Sequence, residues 1–375
     1  MADAPGGSRD EFAAQLALGQ VPGIGAARLR TLVAAFESAA AALQAPAGAL
    51  AALPGFGRAA AAAVRRARLE AGHEILAQLD RLGATALVWG DARFPPLLRE
   101  IPDPPVLLYA WGDLSLLSRP AAAIVGSRNH SAYGAEAART LALGVAGYVV
   151  VASGMARGLD AIAHAAALDA GGGGGSVGVL GNGFGVVYPA ANRALYERMI
   201  AHGCLITELP PGERPHAGAF PRRNRLISGL AGVTVVVEAA PGSGALITAD
   251  CALEQGRSVL AVPGPITSPT SLGCNKLIQQ GAKPALSAAD VLEELGITPG
   301  RRPGVDQPGR TAPPDLTELQ QALWRALESD AKHVDALAAA VGTLGAATAD
   351  VLTALTGLEL RGLVRQEPGM VFARA

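Results

Sequence analysis

From residue 121 onward, short β-branched runs alternate with helix-forming stretches, and this alternation constrains the fold more than any other feature of the chain. The runs lie at 122–125, 148–152, 177–180, 205–208, 233–238 and 259–262. Helical patterns at 135–146, 160–169, 192–201, 245–254 and 290–295 lie between or after them. Strands alternating with helices predict an α/β class, a Rossmann-like and mostly parallel sheet with helices on both faces. Residues 76–120, with Trp89-Gly90, Phe94-Pro95-Pro96 and the run Pro104-Pro105-Val106-Leu107-Leu108-Tyr109, read as the lead-in, which gives a core domain over 76–297.

The 375 residues exceed one core at about 100–200 residues per domain, so flanking domains are expected. Residues 1–75 are alanine-rich and helical in pattern, and Val21-Pro22-Gly23-Ile24-Gly25 is echoed by Leu53-Pro54-Gly55-Phe56-Gly57. Two P-G-x-G turns between helices read as tandem helix-hairpin-helix (SAM-like) units. The amides after each turn could receive a phosphate, or the turns could only shape a helical bundle. A Pro/Gly/Arg-rich stretch at 298–314 reads as a linker. Residues 315–375 then show three helices and a small hairpin, the pattern of a winged helix. Its third helix, 349–360, carries Asp350 and Glu359 and no cation before Arg361, which favours a docking or dimer-regulating wing over a groove reader.

Composition narrows the function classes. With 50% hydrophobic and 17% charged residues the chain is not a disordered one. A net charge of −1 and a pI of about 6.6 mean that any nucleic-acid binding must come from a local patch. Lysine occurs only at 276, 283 and 332, arginine supplies the other cations, and so only clustered arginines carry weight. The uncharged stretch 140–156 is broken by Gly144, Gly147, Ser153 and Gly154, short of the roughly 20 apolar residues of a membrane span. Residues 1–10 show no leader pattern, and Cys204, Cys251 and Cys274 are scattered. The expectation is a cytoplasmic protein without membrane insertion, disulfides, metal or cofactor.

In a parallel sheet, ligands sit beyond the carboxyl ends of the strands. Here those ends carry Gly126-Ser127-Arg128, Gly154 with Arg157, Gly181-Asn182-Gly183, Gly242-Ser243-Gly244 and Pro263-Gly264. Glycine lets a backbone approach a phosphate and the following helix points its amides there, so five such loops suggest a phosphate-binding rim. The most specific segment is Phe220-Pro221-Arg222-Arg223-Asn224-Arg225. Its arginines can pair with phosphates and Phe220 offers a face for a base. The competing reading makes Arg223 or Arg225 a structural partner of Glu208 or Glu238. Lys276 is read as a further phosphate contact. No catalytic set stands out: Asp160 and His164 read as structural, and no Walker A, G-x-S-x-G or metal cluster is present.

Together GSR at 126–128, SGMARGLD at 153–160, VLGNGF with YP at 179–189, FPRRNRLISGL at 220–230, GSGALITA at 242–249, and AVPG with GCNKLI at 261–278 strongly resemble the DNA-processing protein A family (DprA, also called Smf). The resemblance spans roughly 85–296. It implies a non-catalytic, homodimeric binder of single-stranded DNA that protects incoming strands in natural transformation. It further implies loading of RecA and displacement of single-strand-binding protein. By motif position Ser127 and Arg128 match the first phosphate loop, and Phe220, Arg222, Asn224 and Arg225 the second, with Ser243, Gly244 and Lys276 in matching segments. Gly185, Ala245 and Ala217 depart from the family pattern. The alternatives are a nucleoside-monophosphate phosphoribohydrolase on a related fold, whose P-G-G-x-G-T-x-x-E signature the segment 241–250 lacks, and a scaffold with a vestigial rim.

Overall fold

A computed structural model describes residues 9–170, 175–298, 316–327, 332–342, 346–361, 363–367 and 369–374. The chain divides into two units, with the division near residue 303.

The first unit begins with six helices: α1 (Arg9–Gly19), α2 (Ala26–Phe36), α3 (Ala39–Gln44), α4 (Ala47–Ala51), α5 (Arg58–Arg66) and α6 (Leu69–Leu82). The two P-G-x-G turns fall between α1 and α2 and between α4 and α5, and the Arg28 guanidinium lies 5.7 Å from the Phe56 ring centre, linking the two. The sheet follows with β1 (Thr85–Val88), β2 (Leu107–Gly112), β3 (Ala121–Val125), α7 (Ala132–Ala146), β4 (Val150–Ser153), α8 (Leu159–Asp169) and β5 (Ser176–Val179). Then come α9 (Arg193–His202), β6 (Cys204–Thr207), α10 (Ala219–Gly229), β7 (Val233–Val236), α11 (Gly244–Glu254), β8 (Ser258–Ala261), α12 (Leu272–Gln279), β9 (Lys283–Pro284) and α13 (Ala288–Glu294).

The strand order is β1-β2-β6-β5-β4-β3-β7-β8-β9. From β6 to β9 all pairs are parallel, as the alternation of strands and helices requires, and β1 and β2 add an antiparallel edge. Pleating explains the apolar runs: Ala121, Ala123 and Val125 face one layer with α10, α11 and α12, and Ala122 and Ile124 face the other with α7, α8 and α13. Each fully buried Val, Leu or Ile contributes roughly 1.5–3 kcal/mol, and both layers are dense in them.

Two features differ from expectation. The lead-in region forms strands β1 and β2, which pair with the sheet. The boundary expected after residue 75 falls inside α6, because α1 and α6 share a core with the sheet edge, Leu16 and Leu76 packing with Leu107 and Tyr109. At Gly72 a Cβ would lie 1.9 Å from the Ala13 carbonyl oxygen, so α1 and α6 cross in backbone contact. The expected linker, 298–314, and the glycine run at 171–175 lie almost wholly outside the described residues.

The second unit contains α14 (Glu318–Ala326), β10 (Lys332–His333), α15 (Val334–Ala340), α16 (Thr348–Leu360), β11 (Val364–Glu367) and β12 (Val371–Arg374). The strands form a sheet ordered β10-β12-β11, and Leu323, Leu337, Leu355, Leu358 and Phe372 fill the core. This is the winged-helix arrangement. Asp350 in α16 accepts from the Ala347 amide at 2.9 Å and so caps its own helix.

Candidate nucleic-acid interface

The strand order reverses at β3: the chain runs from β3 outward through β4, β5 and β6, then returns to place β7 on the other side. At such a switch point the loops leave toward opposite faces and open a crevice beyond the strand ends. The loops after β3 and β7 wall a crevice of about 660 Å³, and a cavity of about 260 Å³ opens beside it between Arg128, Ala156, Tyr188 and Phe220.

The first loop is tightly held. The Ser127 amide donates to the Glu238 carbonyl at 2.9 Å, and the Ser127 hydroxyl donates to the Asn129 carbonyl at 2.7 Å. Gly158, at φ 86°, backs onto this loop, where a Cβ would lie 2.5 Å from the Ser127 carbonyl oxygen. Glu238 is 2% exposed and its carboxylate accepts from the Ser131 amide and hydroxyl at the start of α7 and from Thr270, so it caps a helix and pairs with no arginine among the described residues.

Around this frame the arginines of α10 divide by helix face. Arg223 falls in register with Leu226, Ile227 and Leu230, the i, i+3, i+4, i+7 positions that pack on the sheet. Its Nη1 donates to the carbonyls of Gly154 and Val179 and so ties the ends of β4 and β5 together. Beside it Asp160 is equally buried. Burial pushes the Asp160 carboxyl up and the Arg223 guanidinium down to about 10, and each charge opposes the shift of the other. At Gly154 a Cβ would lie 2.7 Å from Asp160 Oδ2 and 2.8 Å from Arg223 Nη2, so only glycine fits between them. Arg225 is also engaged: Nη2 donates to both Glu208 oxygens at 2.6 Å, and Nε lies 3.3 Å from Asp103. Burial raises the Glu208 carboxyl, with Arg225 and Arg222 opposing. Asn224 donates to the Gly244 carbonyl at 3.0 Å.

The cations open to solvent are different ones. Arg128 is exposed, its guanidinium 5.7 Å from the Phe220 ring centre, and Tyr188 flanks Phe220 at 5.5 Å. Arg157 is exposed and reaches Asn129 Oδ1 at 3.1 Å. Arg222 is exposed and makes no ion pair among the described residues, and it faces a separate cavity beyond α10. Ser243 caps α11, its Oγ accepting from the Ala245 amide at 3.3 Å, with Gly244 exposed beside it. Lys276 is exposed on α12 and lines neither cavity, whereas its neighbour Asn275 binds both the amide and the carbonyl of Gly264. Asp160, Glu208 and Glu238 are thus buried or paired, while Arg128 and Arg222 are exposed and form no ion pair among the described residues.

His164 is fully buried, and burial, reinforced by Arg223, pulls it down to about 3. A neutral ring donating from Nδ1 to Ser176 Oγ at 2.7 Å and accepting the Met155 amide at Nε2 satisfies every partner. Tyr188 joins the site as a lining residue that the glycine and arginine pattern does not single out, beside Asn182 of the third rim loop. Tyr188 flanks the Phe220 ring, and Asn182 donates to the carbonyls of Gly183 and Val186 to shape the third loop. Their signal was the glycine loop and Tyr-Pro pair already noted at 179–189.

A sequence profile described as DNA recombination-mediator protein A matches residues 85–296, from the first residue of β1 to just past α13. The chain belongs to this family. A second profile, the DprA winged helix domain, matches 307–370. Among relatives, Protein Smf of Synechocystis is 35% identical over 98% of this chain and 100% of its own length. The crystal structure of DNA processing protein A from Streptococcus pneumoniae superposes with a TM-score of 0.62 at 34% identity, covering 76% of this chain and 97% of that one. The Helicobacter pylori family member, whose structure is described as showing a unique single-stranded DNA binding mode, superposes with a TM-score of 0.51 at 27% identity, over 56% of this chain and 95% of that one.

Proposed function

We propose that this chain binds single-stranded DNA on the glycine–arginine rim without catalysis, protects the strand, and loads RecA onto it during transformation or recombination. The observation that carries the reading is the exposed Arg128 guanidinium beside the Phe220 ring, at the crevice the glycine loops wall. An aromatic face takes any base, and an unpaired guanidinium takes the adjacent phosphate, which is chemistry for a strand without sequence preference. Gly126, Ser127, Gly154, Arg157, Ser243 and Gly244 would line the strand's path. Asn224, Arg223 and Arg225 would hold that path in shape, and Lys276 would act at its periphery. The relatives support the class, and the same reading implies a homodimer acting in the cytoplasm on strands cleared of single-strand-binding protein.

The test is a fluorescence titration with single- and double-stranded oligonucleotides across a salt series. Single strands should be preferred, with a log–log salt slope of about −0.7 per phosphate contact. Arg128→Ala should flatten the slope and weaken binding. A salt-independent affinity, or one untouched by Arg128→Ala, would sink the proposal. RecA loading is read separately, as faster filament growth on strands coated with single-strand-binding protein.

A further inference from the structure

We propose that the bound strand continues past Phe220 into a second cavity, where Arg222 and His216 hold its next phosphate against the first P-G-x-G turn. This rests on the reading above and extends it to the N-terminal helices.

The cavity measures about 550 Å³, within the roughly 300–1,000 Å³ of small-ligand pockets. It shares Leu180, Gly181 and Arg223 with the cavity beneath Phe220, so the two lie on opposite sides of one partition. Gly181 makes that partition thin, since a Cβ there would lie 2.8 Å from the Phe220 ring. The far wall is the turn at 20–25 between α1 and α2.

That wall is fixed in place before any strand arrives. Gln20 Nε2 donates to the Tyr109 hydroxyl at 2.9 Å, which anchors the turn to β2. Arg28 Nη1 donates to the Gly23 carbonyl at 2.7 Å, and Gly23 sits at φ 81°. The amides of Gly23 and Gly25 have no acceptor among the described residues.

The charges fit a phosphodiester. Glu208 and Asp103 also line the cavity, but Arg225 is committed to both. Arg222 and His216 are exposed at the mouth and neither forms an ion pair among the described residues. In the wall, Arg225 Nη1 is a buried donor without an acceptor. Three arginines, Arg222, Arg223 and Arg225, face two carboxylates, Asp103 and Glu208, in the lining, and apolar Val21, Ile24 and Val106 leave room for a base or sugar.

The experiment is photocrosslinking of the full chain to oligothymidylates carrying 4-thiothymidine, over a ladder of about 4 to 16 nucleotides. Adducts are expected on the segment holding residue 220 for every length, and on the segment spanning residues 10–28 only for the longer strands. Arg222→Glu should remove the adducts at 10–28 and weaken the longest strand about tenfold, far more than the shortest. Arg222→Lys should restore most of the loss, and Arg128→Ala should weaken every length. Adducts confined to the Phe220 side, with Arg222→Glu binding every length like the parent, would overturn this path while leaving the rim intact. Absence of single-strand binding by the parent chain would overturn the rim itself.

Discussion

The glycine–arginine rim and the winged-helix unit both belong to architectures associated with nucleic acid, yet the rim and the third helix of that unit, α16, carry charges of opposite sign. At the rim, Asp160, Glu208 and Glu238 are buried or paired and Arg128 and Arg222 stand in solvent. In the winged-helix unit, α16 carries Asp350 and Glu359 and no cation along its length. Architecture alone therefore does not locate a DNA face. What differs between the two is which sign of charge the packing leaves uncovered.

This contrast can be broken most sharply through Arg223, which is 6% exposed. Arg223→Met leaves Asp160 buried without its counter-charge and two carbonyls without a donor, and should cost about 3–5 kcal/mol of stability, read by urea unfolding. A loss below about 1 kcal/mol would mean that the guanidinium is not the brace between β4 and β5.

Acid separates the regions next. His164 lies beneath the rim with its pKa lowered from 6.5 to about 3, so the unfolded chain takes up that proton first. The stability this contributes is complete above about pH 6.5 and is lost as pH falls toward 3, on the order of a few kcal/mol. Asp160 works in the opposite sense, because burial raises its carboxyl and the folded chain protonates it earlier. His164→Gln should flatten the decline of melting temperature with acid. The winged-helix unit has no buried histidine among its described residues and should show no such decline.

Phe220→Ala should weaken single-strand binding by about 1–3 kcal/mol, roughly 5- to 150-fold, in anisotropy titrations. The smallest effect belongs to the other side of the comparison. Asp350→Ala with Glu359→Ala should change that affinity less than about twofold, as expected of exposed charges. A large gain would show that α16 faces the strand after all.

The parallel strands β3 to β8 were legible because they are buried on both faces and read as mainly apolar runs, whereas β9, the two exposed residues Lys283–Pro284, was not. The rim was legible because glycine loops follow five of the six strand runs. The fate of the α10 arginines was not, since three cations in four positions look alike until the packed face of the helix is known. The periodicity did hold the answer: Arg223 keeps register with Ile227 and Leu230, and Arg222 and Arg225, three apart, share the other side. The alternative assigning Arg225 to Glu208 is the arrangement found. The antiparallel edge was hidden because β1 and β2 are separated by a proline-rich stretch whose hairpin-like pairing has no tight-turn signature.

The brace at Arg223 has one more consequence. Because it clamps the ends of β4 and β5, and Asn192 holds the carbonyls of Met155 and Ala156 from a neighbouring segment, the binding surface has already surrendered its freedom when the chain folds. The entropy of ordering then falls on the flexible strand alone, and a preorganised surface of this kind gains affinity from each contact it makes without first having to assemble.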